Sequence, residues 1–154
     1  MEIGFNAGHS AELFLSSNKN INLVSFDIGD HEYINLGKQF IDKTYPGKHE
    51  LIIGNSLTTV PEYFKKTNKK FDLIFIDGGH SYEVAKGDLI NCKNLAHAKT
   101  IVIIDDTINN NEWLYKYNNG PNRAWKELRG MNIINEIGSE DYSPGRGQSW
   151  GHYL

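Results

Sequence analysis

The residues best suited to bind a charged cofactor form a glycine-rich turn at positions 2–10, Glu-Ile-Gly-Phe-Asn-Ala-Gly-His-Ser. Glycines allow backbone dihedrals that other residues resist and let the chain approach a ligand closely. The helix predicted after the turn offers free N–H groups to a carboxylate or phosphate. Asp27 closes the next apolar run, where a carboxylate can accept hydrogen bonds from both ribose hydroxyls. These features predict a nucleoside-containing cofactor bound by an α/β sheet.

The spacing of the turn discriminates between cofactors. Glu2, Gly4 and Gly8 give the pattern Glu-x-Gly-x-x-x-Gly, whereas dinucleotide-binding domains carry Gly-x-Gly-x-x-Gly. The turn therefore disfavours a nicotinamide dinucleotide, and with it a dehydrogenase.

Apolar runs that alternate with helical patterns must position these residues. The runs predict strands at 2–5, 22–27, 50–53, 71–76 and 100–104. The last is a continuous β-branched run, which is typical of parallel strands covered on both faces. Helices are predicted at 10–17, at 32–45 with Tyr33, Leu36 and Phe40 at helical spacing, with Pro61 in a first turn, and at 81–98.

The C-terminal third has a different pattern. A helix is predicted at 121–128, followed by strands at 131–137 and 148–154 with a loop at 138–147. Two consecutive strands joined in this way indicate an antiparallel pair at the sheet edge. We therefore predict one α/β domain over residues 1–154, with a mostly parallel seven-stranded sheet and an antiparallel C-terminal hairpin.

The composition, net charge and cysteine count of the chain limit the kinds of partner it can bind and the compartment it is expected to occupy. With 39% hydrophobic and 23% charged residues, the 154-residue chain is predicted to fold as one globular domain. A formal net charge of −3 argues against nucleic acid as the main partner, and no stretch is apolar enough to cross a membrane. Cys92 is the single cysteine, which excludes a disulfide framework and favours a reducing, cytoplasmic compartment.

Over nearly its whole length the chain resembles class I S-adenosylmethionine-dependent methyltransferases. The Glu2 turn looks like their first motif, Asp27 like their ribose-binding acid, and residues 71–77 like their fourth-strand motif. The resemblance implies a Rossmann-like three-layer sandwich with S-adenosylmethionine as cofactor. It implies cofactor contacts from Glu2, Gly4, Phe5, Asn6, Gly8, Ser10, Asp27, Ile28, Asn55, Ser56, Asp77, Gly78 and His80.

A narrower resemblance rests on residues 77–82, on 104–106 and on 120–128, which look like the metal-assisted sugar and natural-product O-methyltransferases. It implies that Asp77, Asp105 and Asp106 hold Mg²⁺ and that His80 is the general base, with Asp77 and His80 as the catalytic pair. Three carboxylates converging at one sheet edge would repel one another without a cation or shared protons. The implied acceptor is a hydroxyl of a sugar, a glycosylated product or a small natural product.

Other interpretations of these residues stay open from the sequence. Asp77 could contact only the cofactor, Asp105 and Asp106 could be ordinary loop acids, and His80 could bond its own turn. Residues 113–117 contain three aromatics that could line an acceptor pocket or simply pack a lid. The chain could also be a degenerate, non-catalytic binding module of this fold within a larger assembly.

The resemblance also implies a departure at the beginning of the sequence. Members of that family carry helices before the first strand that cover the cofactor, whereas here only Met1 precedes Glu2. With the N-terminal cover missing, either the start is truncated, the pocket is open, or another chain supplies the cover. We expect weak cofactor affinity and a possible homo-oligomer.

Overall fold

Seven strands form one sheet in the computed structural model, which describes residues 1–154. The first five strands run parallel: β1 (Glu2–Ile3), β2 (Leu23–Asp27), β3 (His49–Ile53), β4 (Phe71–Ile76) and β5 (Ala96–Asp105). The last two, β6 (Ile134–Ser143) and β7 (Arg146–Tyr153), form an antiparallel hairpin whose second strand pairs with β5. This confirms the predicted Rossmann-like sheet and its C-terminal hairpin.

The strand order is β3-β2-β1-β4-β5-β7-β6, so the direction of winding reverses between β1 and β4. Because crossovers between parallel strands are right-handed, a reversal puts the connecting helices on opposite faces of the sheet. Those helices are α1 (His9–Ser17), α2 (Ile34–Thr44), α3 (Ser56–Thr67), α4 (Tyr82–Lys93) and α5 (Asn119–Gly130). The carboxyl ends of β1 and β4, at the reversal, form the crevice where open α/β sheets bind ligands.

Two buried clusters hold the three layers together. The smaller one joins α1 and α2 to the sheet through Phe5, Ala11, Leu15, Leu23, Ile34 and Ile41. The larger one packs α3, α4 and α5 against the strands, and its fully buried members include Phe26, Ile74, Leu89, Val102 and Leu128. None of the helices has the length and apolar character needed to cross a bilayer.

Two predicted helix boundaries are wrong. The predicted helix 81–98 ends at Lys93, and β5 begins at Ala96, because Leu95 fills the core between the two elements. Pro61 lies inside α3, not in its first turn: Asn55 caps that helix by accepting a hydrogen bond from the N–H of Leu57. A good cap thus begins the helix five residues before the position that the proline indicates.

The hairpin and α2 also differ from the prediction. The predicted loop 138–147 is mostly strand, since β6 runs to Ser143 and a tight turn at Gly145, with φ +75°, leads into β7. Helix α2 buries Ile34 and Ile41, whereas the predicted apolar set at positions 33, 36 and 40 faces solvent. Both sets have helical spacing, so periodicity alone did not identify the buried face.

One half-buried histidine supports the β2–β3 edge of the sheet. The His49 ring stacks on Phe5 with centroids 5.0 Å apart, and its Nε2 lies 2.7 Å from the Ser25 hydroxyl. Its Nδ1 is buried without a hydrogen-bond partner. Burial, with a smaller contribution from Lys38, lowers the pKa of His49 from 6.5 to about 4.

We predict that His49 makes the fold acid-sensitive. The unfolded chain takes up the proton as the pH falls through 6.5, but the folded chain resists it down to about pH 4. The stabilisation is therefore complete at pH 7 and lost between these two values. In urea denaturation from pH 7 to 4.5, His49→Gln should lose less stability than the parent protein, whereas the exposed control His97→Gln should follow the parent. Equal losses in all three proteins would contradict the prediction.

Candidate functional site

A cavity of about 460 Å³ opens at the carboxyl ends of β1, β2, β3 and β4. Nine residues predicted to contact a cofactor line it: Gly4, Asn6, Asp27, Ile28, Asn55, Ser56, Asp77, Gly78 and His80. A larger cavity, of about 550 Å³, lies at the amino ends of the strands and contains none of the predicted site residues. Most of the predicted cofactor-binding residues thus lie at the first cavity, and none lies at the second.

The glycine turn forms the wall of this cavity next to α1. Gly4 has φ +96°, and a Cβ there would overlap the carbonyl oxygen of Asp77 at the end of β4. The Gly4 N–H donates to the Phe26 carbonyl of β2 at 2.8 Å. Only glycine allows both the backbone conformation and the close approach to the neighbouring strand end.

Asp27 holds the turn in place. Its Oδ2 accepts hydrogen bonds from the N–H groups of Phe5 at 2.9 Å and Asn6 at 2.8 Å, and its Oδ1 accepts one from Gly29 at 2.9 Å. A carboxylate offers about four acceptor positions, so a single one is left on Oδ1 for a ligand. Asp27 can thus accept one ribose hydroxyl, while the sequence had indicated both.

Four predicted cofactor contacts lie behind the cavity wall: Glu2, Phe5, Gly8 and Ser10 do not line it. Glu2 is fully buried and accepts hydrogen bonds from the hydroxyls of Ser10 at 2.7 Å and Ser25 at 2.6 Å. Burial raises the pKa of the Glu2 carboxyl. In the structure these residues support the turn from below.

Six further residues line the cavity that were not predicted to contact the cofactor: Ile3, Phe26, His31, Gly54, Gly79 and Val84. Gly54, with φ +139°, and His31, which stacks on Tyr33 with centroids 4.9 Å apart, follow the ends of β3 and β2. Their position directly after a parallel strand was the signal that could have identified them.

An acidic cluster with one histidine borders the cavity. Ligand atoms of Asp77, His80 and Asp106 all lie within 4.8 Å of one another. Asp105 is not in this group: it pairs in register with Gln148 of β7. The structure thus brings together two of the three predicted metal ligands and adds the histidine.

The histidine and one carboxylate form a close pair. His80 Nε2 lies 2.7 Å from Asp106 Oδ2, and the second oxygen, Oδ1, is buried without a hydrogen-bond partner. Arg146 Nη1 is 3.9 Å from that oxygen. Asp106 has φ +57°, an unusual conformation for a non-glycine residue, and it turns the carboxylate out of the line of β5.

Electrostatics at the cluster favour a bound cation or proton. Asp77 faces the cavity, yet surrounding protein atoms desolvate its carboxyl and, with Asp105 and Asp106, raise its pKa to about 7. Burial also raises the pKa of Asp105. The hydrogen bond to Asp106 raises the pKa of His80, which stabilises the imidazolium. An isolated carboxylate would show no such preference for the protonated form.

Two tyrosines stand next to His80, in the segment between β5 and α5. The Tyr117 ring lies 5.7 Å from the His80 ring, and Tyr115 lies 6.1 Å from Tyr117. The Tyr117 hydroxyl donates to the Gly145 carbonyl at 2.6 Å, which joins this segment to the β6–β7 turn. Half of the Tyr115 surface remains exposed beside the cluster.

Comparison with known proteins gives one sequence match and many similar structures. The sequence model described as "Methyltransferase domain" matches residues 1–107. No curated protein sequence matches significantly. The chain is similar in structure to CalS11, a TDP-rhamnose 3'-O-methyltransferase of calicheamicin biosynthesis, with 21% identity, a TM-score of 0.73 and coverage of 99% of this chain and 69% of that one.

Two further similar structures have the same fold at lower identity. An O-methyltransferase from Bacillus cereus in complex with SAH has a TM-score of 0.81 at 16% identity, with 99% and 72% of the two chains covered. NcsB1 of neocarzinostatin biosynthesis, in complex with S-adenosylmethionine and a naphthoic acid, has a TM-score of 0.72 at 12% identity, with 99% and 48% covered.

We predict that Gly4 is the least replaceable glycine of the site. Gly4→Ala should lower the free energy of unfolding by more than about 3 kcal/mol, because the new methyl group overlaps the Asp77 carbonyl and the backbone has positive φ. Gly130→Ala is the control, since its Cβ would meet no atom within 4 Å, and it should change stability by less than about 1 kcal/mol. Chemical denaturation of both variants tests the prediction, and similar losses would refute it.

Proposed function

The chain belongs to the methyltransferase domain family, and from this premise we propose that it transfers a methyl group from S-adenosylmethionine to a hydroxyl of a small-molecule acceptor. The observation that carries the proposal is the position of the His80–Asp106 pair at the edge of the cavity that the glycine turn and Asp27 enclose. A nucleoside-binding wall and a base stand on opposite sides of one space.

The cavity offers a complementary group to each part of the cofactor. The remaining acceptor position of Asp27 suits a ribose hydroxyl, and Asn55 and Ser56 suit the polar edge of adenine. The backbone of the glycine turn, where Gly4 and Asn6 line the cavity, suits the carboxylate of the methionine portion. The sulfonium would then lie near Asp77, whose pKa of about 7 leaves its carboxyl partly ionised at pH 7, so that a nearby positive charge stabilises the carboxylate.

Methyl transfer needs an in-line approach and a nucleophile that has lost its proton. His80 Nε2 is engaged by Asp106, so Nδ1 is the nitrogen that accepts the proton from the acceptor hydroxyl. Asp106 orients the imidazole and stabilises the imidazolium that forms. A base held by a buried carboxylate is the arrangement that activates hydroxyl nucleophiles in other enzymes.

The residues present fit a divalent cation. Asp77 and Asp106 supply oxygen ligands, which Mg²⁺ prefers, and the buried Oδ1 of Asp106 has no partner in the protein. We propose these two as direct ligands, with Asp105 adding negative charge from the neighbouring position on β5. A cation held there would lower the pKa of the acceptor hydroxyl.

The acceptor we propose is a sugar, a glycosylated compound or a small natural product. The exposed face of Tyr115 and the ring of Tyr117 provide apolar surface beside His80, which suits the face of a sugar or aromatic ring. Two of the similar structures are a sugar methyltransferase and a methyltransferase with a bound naphthoic acid.

We predict one-to-one binding of S-adenosylhomocysteine with a Kd above about 1 µM, because the cavity is open and Ile28 at its rim is 54% exposed. Calorimetric titration with and without Mg²⁺ measures this Kd.

Binding without turnover on any sugar or phenolic acceptor would favour the binding-module alternative. Absence of binding in both conditions would refute S-adenosylmethionine as the cofactor. Full activity in the presence of a chelator would refute the proposed role of a divalent cation.

We predict that His80→Ala lowers kcat by about 10²- to 10⁴-fold, as expected for loss of a general base. Asp106→Asn should also lower kcat, because the base loses its orienting charge and the proposed cation loses one of its two direct ligands. The matched control is His97→Ala, since His97 makes an exposed 3.0 Å pair with Asp72 far from the cavity. Unchanged turnover in His80→Ala would remove this residue from the mechanism.

A further inference from the structure

Helix α4 carries a buried carboxyl group that neither the cofactor wall nor the acidic cluster uses. Asp88 is fully buried, and neither of its oxygens has a hydrogen-bond partner. Buried polar groups are almost always paired, so an unpaired one calls for an explanation. Hydrophobic packing does not supply one, because a leucine or methionine would fill the same space without the desolvation penalty.

Asp88 lies directly beneath the floor of the cavity. Its Oδ2 is 3.4 Å from the position that a Cβ on Gly78 would take, so the carboxyl faces the open side of Gly78 in the loop after β4. Burial raises the pKa of Asp88 to about 6, and the nearby Ser56 hydroxyl offsets part of that rise. Ser56 and Gly78 line the cavity from two different strand ends.

Helix α4, which carries Asp88, packs closely against the first turn of α3, which carries Ser56. A Cβ on Gly87, the neighbour of Asp88, would overlap the side chain of Leu57 in the first turn of α3. A carboxylate near the first turn of a helix is stabilised by the free N–H groups there. Asp88 therefore stands between the N-terminus of α3 and the loop after β4.

We propose that Asp88 is a positioning residue for the cofactor site, which holds Ser56 and the Gly78 loop at the separation that a bound nucleoside requires. In the structure neither Asp88 oxygen has a hydrogen-bond partner, so the Ser56 hydroxyl donates to Asp88 only when the cavity is filled, since site hydrogen bonds commonly tighten in the complex. The identity of the ligand rests on the proposed function, whereas the link between the two loops does not.

A double-mutant cycle on S-adenosylhomocysteine affinity tests the pair. Asp88→Ala should raise Kd by about 5- to 10-fold, and Ser56→Ala by at least as much, because Ser56 also lines the cavity where adenine is proposed to bind. The double variant should raise Kd by no more than Ser56→Ala alone, because Asp88 is proposed to act through the Ser56 hydrogen bond. Asp88→Asn, which keeps an acceptor oxygen, should restore most of the affinity. If Asp88→Ala does not fold, Asp88→Leu, which restores the lost volume, takes its place. Multiplicative losses, or none, would overturn the proposal.

Cys92→Ala is the matched control, because Cys92 is also fully buried on α4, one turn further from the cavity. It should lower stability but leave Kd within about twofold of the parent value. A similar loss of affinity in this control would mean that Asp88 acts through global stability alone, which would overturn the positioning role.

Amide hydrogen exchange separates failure of this inference from failure of the proposed function. In the ligand-free protein, Asp88→Ala should speed exchange at the hydrogen-bonded amides of Leu57 and Asp77 by about fivefold or more, while Cys92→Ala should not. If the parent protein does not bind S-adenosylhomocysteine, this difference still supports the link between the two loops. Unchanged exchange at both amides would overturn it, whatever the affinity data show.

Discussion

The close contact between the Gly4 backbone and the Asp77 carbonyl is the constraint on which the rest of the site depends. It brings the turn after β1 against the end of β4, at the point where the winding of the sheet reverses. Asp77 in turn donates its N–H to the Ile3 carbonyl at 2.9 Å, and Asp27 holds the other side of the turn. The ends of β1, β2 and β4 can come together at the cavity because Gly4 has no side chain.

Negative charge accumulates at the same edge for a topological reason. Parallel strands β4 and β5 are neighbours, so the acids that follow them must lie close together whatever their role. The left-handed conformation of Asp106 directs its carboxylate to His80 and away from Asp105. Such strained residues persist where the surrounding structure over-determines them, and they are concentrated at functional sites. The backbone of Asp106 thus adds independent support to the proposed base.

Most of the fold could be predicted because its signals are local. The β-branched run at 101–104 marked a strand, and the glycine turn marked the end of β1. Two of the remaining errors have a common cause: at Leu95 and in the hairpin, tertiary packing decided between two locally acceptable structures. At Pro61 the error came from a local signal, the Asn55 cap. The apolar side chains Leu36 and Phe40 had helical spacing, yet α2 turns another face to the core.

The sequence by itself determined the order of elements, the location of the glycine turn, and the family and cofactor class that the turn and Asp27 indicate. These follow from patterns within a few residues of each other. Only the tertiary structure decided which acids meet, how many acceptor positions Asp27 keeps free, and that Asp88 lies beneath the cavity floor. Those facts depend on the direction of side chains from strands and helices far apart in sequence, and no local pattern specifies that direction.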